Sequence, residues 1–84
     1  MKDYYFTFRS VTRAMEAEKR LQRAGMHPQL LRTPGELRKK GCGYSLRVQE
    51  TEWEPARAVL TGNGFERIFR KNGSAWEEVG RNVF

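Results

Sequence analysis

Cysteine occurs once and histidine once among the 84 residues. A single thiol excludes an internal disulfide, which fits a reducing compartment, and a cytoplasmic protein is the expectation. His27 stands beside Pro28, with no second histidine and no cysteine close in sequence. That spacing argues against a metal site. No stretch of eighteen apolar residues is present to span a bilayer. The opening Met1-Lys2-Asp3-Tyr4-Tyr5 lacks an apolar h-region, so no signal peptide is expected. A GxGxxG turn, a P-loop and a Ser-His-Asp arrangement are also missing, and no general base is paired with the one cysteine. Stand-alone catalysis is therefore not expected, and no cofactor is called for.

What is present suits one small domain spanning residues 1–84, with a core over 3–71 and a tail over 72–84. Hydrophobic content of 38%, with 12% aromatic, is enough for a packed core and too much for a disordered chain. A chain this short buries a modest share of its surface, so its stability rests on good packing. The formal charge of +6 and pI near 10.0 admit an acidic partner: nucleic acid, an acidic protein or an anionic ligand. The plainer reading of the same charge is solubility.

The aromatics Tyr4, Phe6 and Phe8 alternate with Tyr5, Thr7 and Arg9, the period of a half-buried strand. Ser10 reads as an N-cap. Val11, Ala14, Met15, Glu18, Leu21 and Ala24 then keep a helical period up to Gly25, a C′ residue by type. Gln29 to Thr33 reads as a second strand, broken by Thr33-Pro34-Gly35. Glu36 to Lys40 reads as a short helical turn or a loop. In the third strand, Tyr44, Leu46 and Val48 share one parity, so Tyr44 points inward with the apolar pair. Thr51-Glu52-Trp53-Glu54 matches a capping box, with Ala56, Val59 and Leu60 as the buried stripe behind it. Residues 65–71 form a fourth strand, with Ile68 and Phe69 on opposite faces, and Asn72-Gly73 makes a turn. Ser74-Ala75-Trp76-Glu77 repeats the capping-box pattern and predicts a short final helix. Trp76 and Phe84 are candidates either to cover a sheet edge or to meet a partner. The order is the ferredoxin-like βαββαβ pattern of an α+β sandwich: a four-stranded antiparallel sheet, two helices on one face and a short C-terminal helical tail. The other face would be open, carrying Tyr5, Thr7, Arg9, Ser45 and Arg47.

The candidate site is Arg38-Lys39-Lys40-Gly41-Cys42-Gly43. The thiolate is the reactive form of cysteine, and nearby cations favour it. Gly41 and Gly43 remove side-chain cover over the sulfur and free the backbone to turn its amides toward an anion. Exposure, anion stabilisation and no adjacent thiol are what a sulfur- or selenium-bearing cysteine needs. The competing reading, equally open on these residues alone, is a small half-buried residue at a strand start.

The whole order of pieces resembles the small bacterial family of selenium/sulfur carrier-like proteins, once classed as a domain of unknown function. The resemblance rests on Tyr5-Phe6-Thr7-Phe8-Arg9-Ser10, on Ala17-Glu18-Lys19 with Leu21 and Ala24-Gly25, and on Thr33-Pro34, Cys42-Gly43 and Leu46-Arg47. The basic Arg38-Lys39-Lys40-Gly41 departs from the small polar residues of the family's loop. The resemblance implies a ferredoxin-like fold and a role for Cys42 in holding sulfur or selenium. It also implies a donor or acceptor protein as partner. In that role Arg38, Lys39 and Lys40 would stabilise the anion and attract an acidic donor. A monomer or weak homodimer is expected.

Two other classes compete. Lys40-Gly41-Cys42-Gly43-Tyr44 resembles the RNP1 motif of the RNA-recognition fold, and Lys40, Gly41, Gly43 and Tyr44 agree with it. Cys42, Ser45 and Arg47 replace its stacking and core positions, which leaves weak phosphate binding by a basic open sheet face. A small adaptor docking through Trp53 or Trp76 is the other.

Overall fold

A computed structural model describes residues 2–38, 43–62 and 64–81, apart from the side chain of Arg38. Its elements are β1 (Asp3–Phe8), α1 (Val11–Arg23), β2 (Gln29–Arg32), α2 (Gly35–Arg38), β3 (Tyr44–Gln49), α3 (Trp53–Leu60), β4 (Arg67–Asn72) and β5 (Ala75–Arg81). The five strands form one sheet in the order β2-β3-β1-β4-β5, with every neighbouring pair antiparallel. It is an α+β architecture with five strands, not four.

β1 runs through the middle of the sheet. It pairs with β3 on one side, Phe6 opposite Leu46, and with β4 on the other, Phe6 opposite Ile68. The alternation read from the sequence sorts its residues as expected. Tyr4, Phe6 and Phe8 join Leu46, Val48 and Ile68 in the main core, and Ala14, Ala17 and Leu21 of α1 with Ala56 and Leu60 of α3 cover them. Phe6 meets Phe65 edge-to-face at 5.3 Å, and Tyr4 stacks on Trp53 at 4.5 Å. Fully burying a side chain such as Phe6 contributes roughly 1.5–3 kcal/mol.

Ser10 caps α1 as its residue type predicts: its hydroxyl accepts from the Arg13 amide at 3.2 Å. The helix closes on Gly25, whose φ of +85° lets the amides of Gly25 and Met26 reach back to Gln22 and Leu21. The buried stripe differs from the expected one. Ala17 is buried, while Val11 and Met15 are 39% and 45% exposed. The small Ala14 and Ala17 let α1 approach the sheet closely, and the larger Met15 is rotated to the outside.

The capping box at Thr51 does not form. Glu52 is the N-cap residue of α3 without a side-chain cap bond. Its carboxylate instead accepts from the His27 amide at 3.1 Å and lies 3.2 Å from the His27 ring. The expected C-terminal helical tail is corrected more completely: residues 75–81 are β5. Gly73, at φ +65°, turns the chain back on itself, and Asn72 pairs with Ala75. Cross-strand partners Arg70 and Glu77 then close an ion pair at 2.8 Å, and Trp76 packs edge-on to Tyr5 at 4.9 Å. These long-range contacts outweigh a three-residue capping pattern.

The second face of the sheet is not open at its centre. Tyr5, Thr7, Ser45 and Phe69 lie on it by register, and all four are buried. The expected basic character survives only toward its margins, where Arg9 is exposed and Arg47 half-buried beside Gln29.

Candidate functional site

The candidate loop leaves β2 and returns through β3, and its described ends are tied down by hydrogen bonds. The Thr33 amide donates to the Gly43 carbonyl at 3.1 Å, and the Gly43 amide donates to the Phe8 carbonyl at 3.3 Å. The Thr33 and Ser45 hydroxyls bond to each other at 2.8 Å in a buried position. On the outgoing side, Pro34 accepts from the Leu37 amide at 2.9 Å, and the Leu37 side chain is buried. Thr33-Pro34 and Gly43 are thus structural anchors, and Gly43 is tied to the C-terminal end of β1.

Of the sequence-predicted site residues, Gly43 is the one whose surroundings the structure describes. Lys39, Lys40, Gly41, Cys42 and the side chain of Arg38 lie outside the described residues. Gly43 does not occupy the left-handed region, and a Cβ added there would meet only the Arg9 carbonyl, at 4.0 Å. Neither backbone conformation nor lack of space demands glycine at this position.

Tyr44 follows the inward parity read from its strand. It is partly buried against the main core, and Arg32 lies over its ring at 5.9 Å. It is therefore not on the second face, where an RNA-stacking aromatic would have to stand, and that face is buried at its centre. His27 is engaged by Glu52, and among the described residues no three His, Cys, Asp or Glu side chains gather to hold a metal. No described helix is long and apolar enough to cross a membrane.

The same end of β1 carries a cleft that sequence reasoning missed, although Arg9 was expected on the sheet face. Arg9 directly follows the strand, and its Nε lies 2.6 Å from a Glu66 carboxylate oxygen. Arg13, Gly64 and Arg67 line the same cleft. These positions come from two short segments, 9–13 and 64–67, distant from each other in the chain, so no local spacing announces the cleft. Their only signal is an excess of arginine, spread too evenly to point anywhere.

No curated protein and no solved structure shows a match to this chain. A family model described as "Putative Se/S carrier protein-like" matches residues 3–75. The match begins at the first residue of β1, ends at the first residue of β5, and takes in both anchors of the cysteine loop. Covering most of the chain, it establishes that the protein belongs to the Se/S carrier-like family.

Proposed function

We propose that the protein carries one sulfane sulfur or one zero-valent selenium atom on Cys42, taking it from a donor protein and passing it to an acceptor. The observation that carries this reading is membership of the carrier-like family by a chain with a single thiol. The anchoring of Thr33 and Gly43 supports it, because both flanks of the cysteine segment are tied to the sheet. Gly43 supports it too. A side chain would fit there, so leaving it out serves openness next to the cysteine better than it serves the backbone. Gly41 would act alike, and Arg38, Lys39 and Lys40 would stabilise the thiolate or persulfide and draw in an acidic donor.

The transfer is a displacement with no net redox change. The Cys42 thiolate attacks the outer sulfur of a donor persulfide, a new S–S bond forms, and the donor's S–S bond breaks with its thiolate as leaving group. Cys42 then bears the persulfide, and the reverse exchange delivers it. Selenium passes by the same route as a selenium atom bound to the cysteine sulfur. Such a carrier acts stoichiometrically and belongs in a reducing, cytoplasmic compartment. We read its scaffold as a ferredoxin-like unit, β4-β1-β3-β2 with α1 and α3, extended at one edge by β5.

Intact mass before and after incubation with a persulfide or selenium donor tests the proposal, with Cys42→Ser alongside. The expected result is a gain of one sulfur or selenium atom, removed by a thiol reductant and absent from the variant. A Cys42 that stays bare with every donor, and alkylates as slowly as an ordinary buried thiol, would overturn it.

A further inference from the structure

Arg9, Arg13 and Arg67 converge with Gly64 and Glu66 on one cleft of about 450 Å³. That volume lies within the range of small-molecule sites, roughly 300–1,000 Å³. Three guanidinium groups line it against one carboxylate, a surplus of two positive charges. The backbone around the cleft is held by hydrogen bonds, while Arg9 and Arg13 are exposed. The Ser10 cap sets the first turn of α1 and with it Arg13. Gly64, at φ +88°, leaves room for the Arg13 guanidinium, since a Cβ there would lie 2.8 Å from its Nη1. The Glu66 amide donates to the Thr7 carbonyl at 2.8 Å. The buried Thr7 hydroxyl accepts from the Arg67 amide at 3.2 Å and donates to the Arg67 carbonyl at 3.3 Å. Arg9 and Glu66 pair across the cleft, Arg67 reaches Glu78 at 3.7 Å, and Arg13 enters no ion pair among the described residues.

We infer that this cleft binds a small tetrahedral dianion. Guanidinium forks match the oxygens of such an anion, and several of them around one cleft hold it more specifically than a single charge can. The first turn of α1 adds its own positive potential. Glu66 opposes an anion, but it is paired with Arg9, and Glu78, 3.7 Å from Arg67, is shared with Arg81 at 2.5 Å, so the cleft keeps a net positive charge centred on Arg13 and Arg67. A cleft of this size suits a compact ligand better than an extended acidic peptide.

The inference also rests in part on the carrier reading, for it names a donor class. Among tetrahedral dianions, a thiosulfate-type ion carries a transferable sulfane sulfur, whereas sulfate and phosphate do not. The cysteine thiolate attacks the outer sulfur, a new S–S bond forms, and the thiosulfate S–S bond breaks. Sulfite departs with the electron pair, so a thiolate and a dianion become a persulfide anion and a dianion. No oxidant or reductant is required.

Two arms test this. In the first, the Cys42→Ser protein is titrated at constant ionic strength with sodium thiosulfate and with sodium sulfate, followed by amide chemical shifts. The expected result is saturable shifts at Arg13, Gly64, Glu66 and Arg67 with both anions. Arg13→Gln should weaken binding about ten-fold, while Lys19→Gln, which removes an equal charge elsewhere on exposed α1, should weaken it less than about two-fold. No saturable shift at these amides, or equal losses in the two variants, would overturn the site. In the second arm, the unmodified cysteine protein is incubated with thiosulfate and weighed. The expected result is a gain of one sulfur, formed about ten-fold more slowly in Arg13→Gln. Should the anions bind while only a persulfide donor loads Cys42, thiosulfate is overturned as donor and the carrier reading stands. Should no donor load Cys42, the carrier reading falls and the donor role with it, and the first arm alone decides the site.

Discussion

On one face of the sheet, Phe6, Phe8, Leu46 and Ile68 press against two helices. On the other, Tyr5 and Phe69 share their cover with three buried hydroxyls, those of Thr7, Thr33 and Ser45. The first face is held by apolar area, which is tolerant of direction and grows with surface removed from water. The second is held by bonds that must be aimed: Thr7 to both backbone groups of Arg67, and Thr33 to Ser45. The lesson lies in what each face positions. The apolar face fixes the scaffold. The hydroxyls tie down the two pieces for which a function is proposed, since Thr7 holds the cleft wall and the Thr33–Ser45 pair flanks the cysteine segment.

The comparison predicts different penalties on the two faces. Phe6→Ala empties the centre of the apolar face and should cost about 3–5 kcal/mol, a large part of the stability of an 84-residue chain. Urea denaturation monitored by circular dichroism measures it. A loss below about 1 kcal/mol would mean that the core sits elsewhere.

Thr7→Val comes next. It keeps the shape of the side chain but strands the Arg67 amide that its hydroxyl satisfies, and should cost about 1–3 kcal/mol. The same substitution should loosen Arg67 and weaken binding in the arginine cleft, where Phe6→Ala acts only through overall stability. If Thr7→Val were neutral by denaturation, the second face would be held by its aromatics alone and the contrast between the faces would collapse.

How far the sequence revealed this division can be followed residue by residue. The parity of Tyr4, Phe6 and Phe8 and of Tyr44, Leu46 and Val48 identified the apolar face, because strand alternation is a local signal. Ser10 gave the start of α1 for the same reason. The second face was not legible. Thr7 and Ser45 read as ordinary solvent-facing polar residues, and their burial depends on Arg67 and Thr33, partners far away or across a strand pair. β5 was misread because Ser74 and Glu77 satisfy a helix cap locally, while the pairing of Glu77 with Arg70 is set by the Gly73 turn. The cysteine loop was visible as composition and Thr33 as part of a strand break, but the anchoring of Thr33 and Gly43 through their amides was not. The arginine cleft was invisible, since it assembles from β1, α1 and β4 only after folding.

The smallest predicted effect concerns the sheet margin, where neither mode of burial operates. The Arg70 guanidinium bonds to the Glu77 carboxylate and holds it below the usual carboxylate range, with its charge and an Asn72 hydrogen bond adding to the effect. In return, hydrogen bonds to Tyr4 and Glu77 hold the Arg70 guanidinium above its ordinary value. A carboxylate depressed in the folded state stabilises that state above its unfolded value, roughly 4.3, and the contribution fades as pH falls through the lower folded value. Glu77→Gln should therefore be slightly less stable than the parent at neutral pH, by an amount that stays level down to about pH 5 and then shrinks toward zero in acid. Thermal unfolding of both proteins across that range provides the check. Salt should also reduce the difference, because the pair is exposed. A gap that widened in acid would show that Glu77 is not the partner that anchors β5, and that β5 is held instead by Trp76 packing on Tyr5.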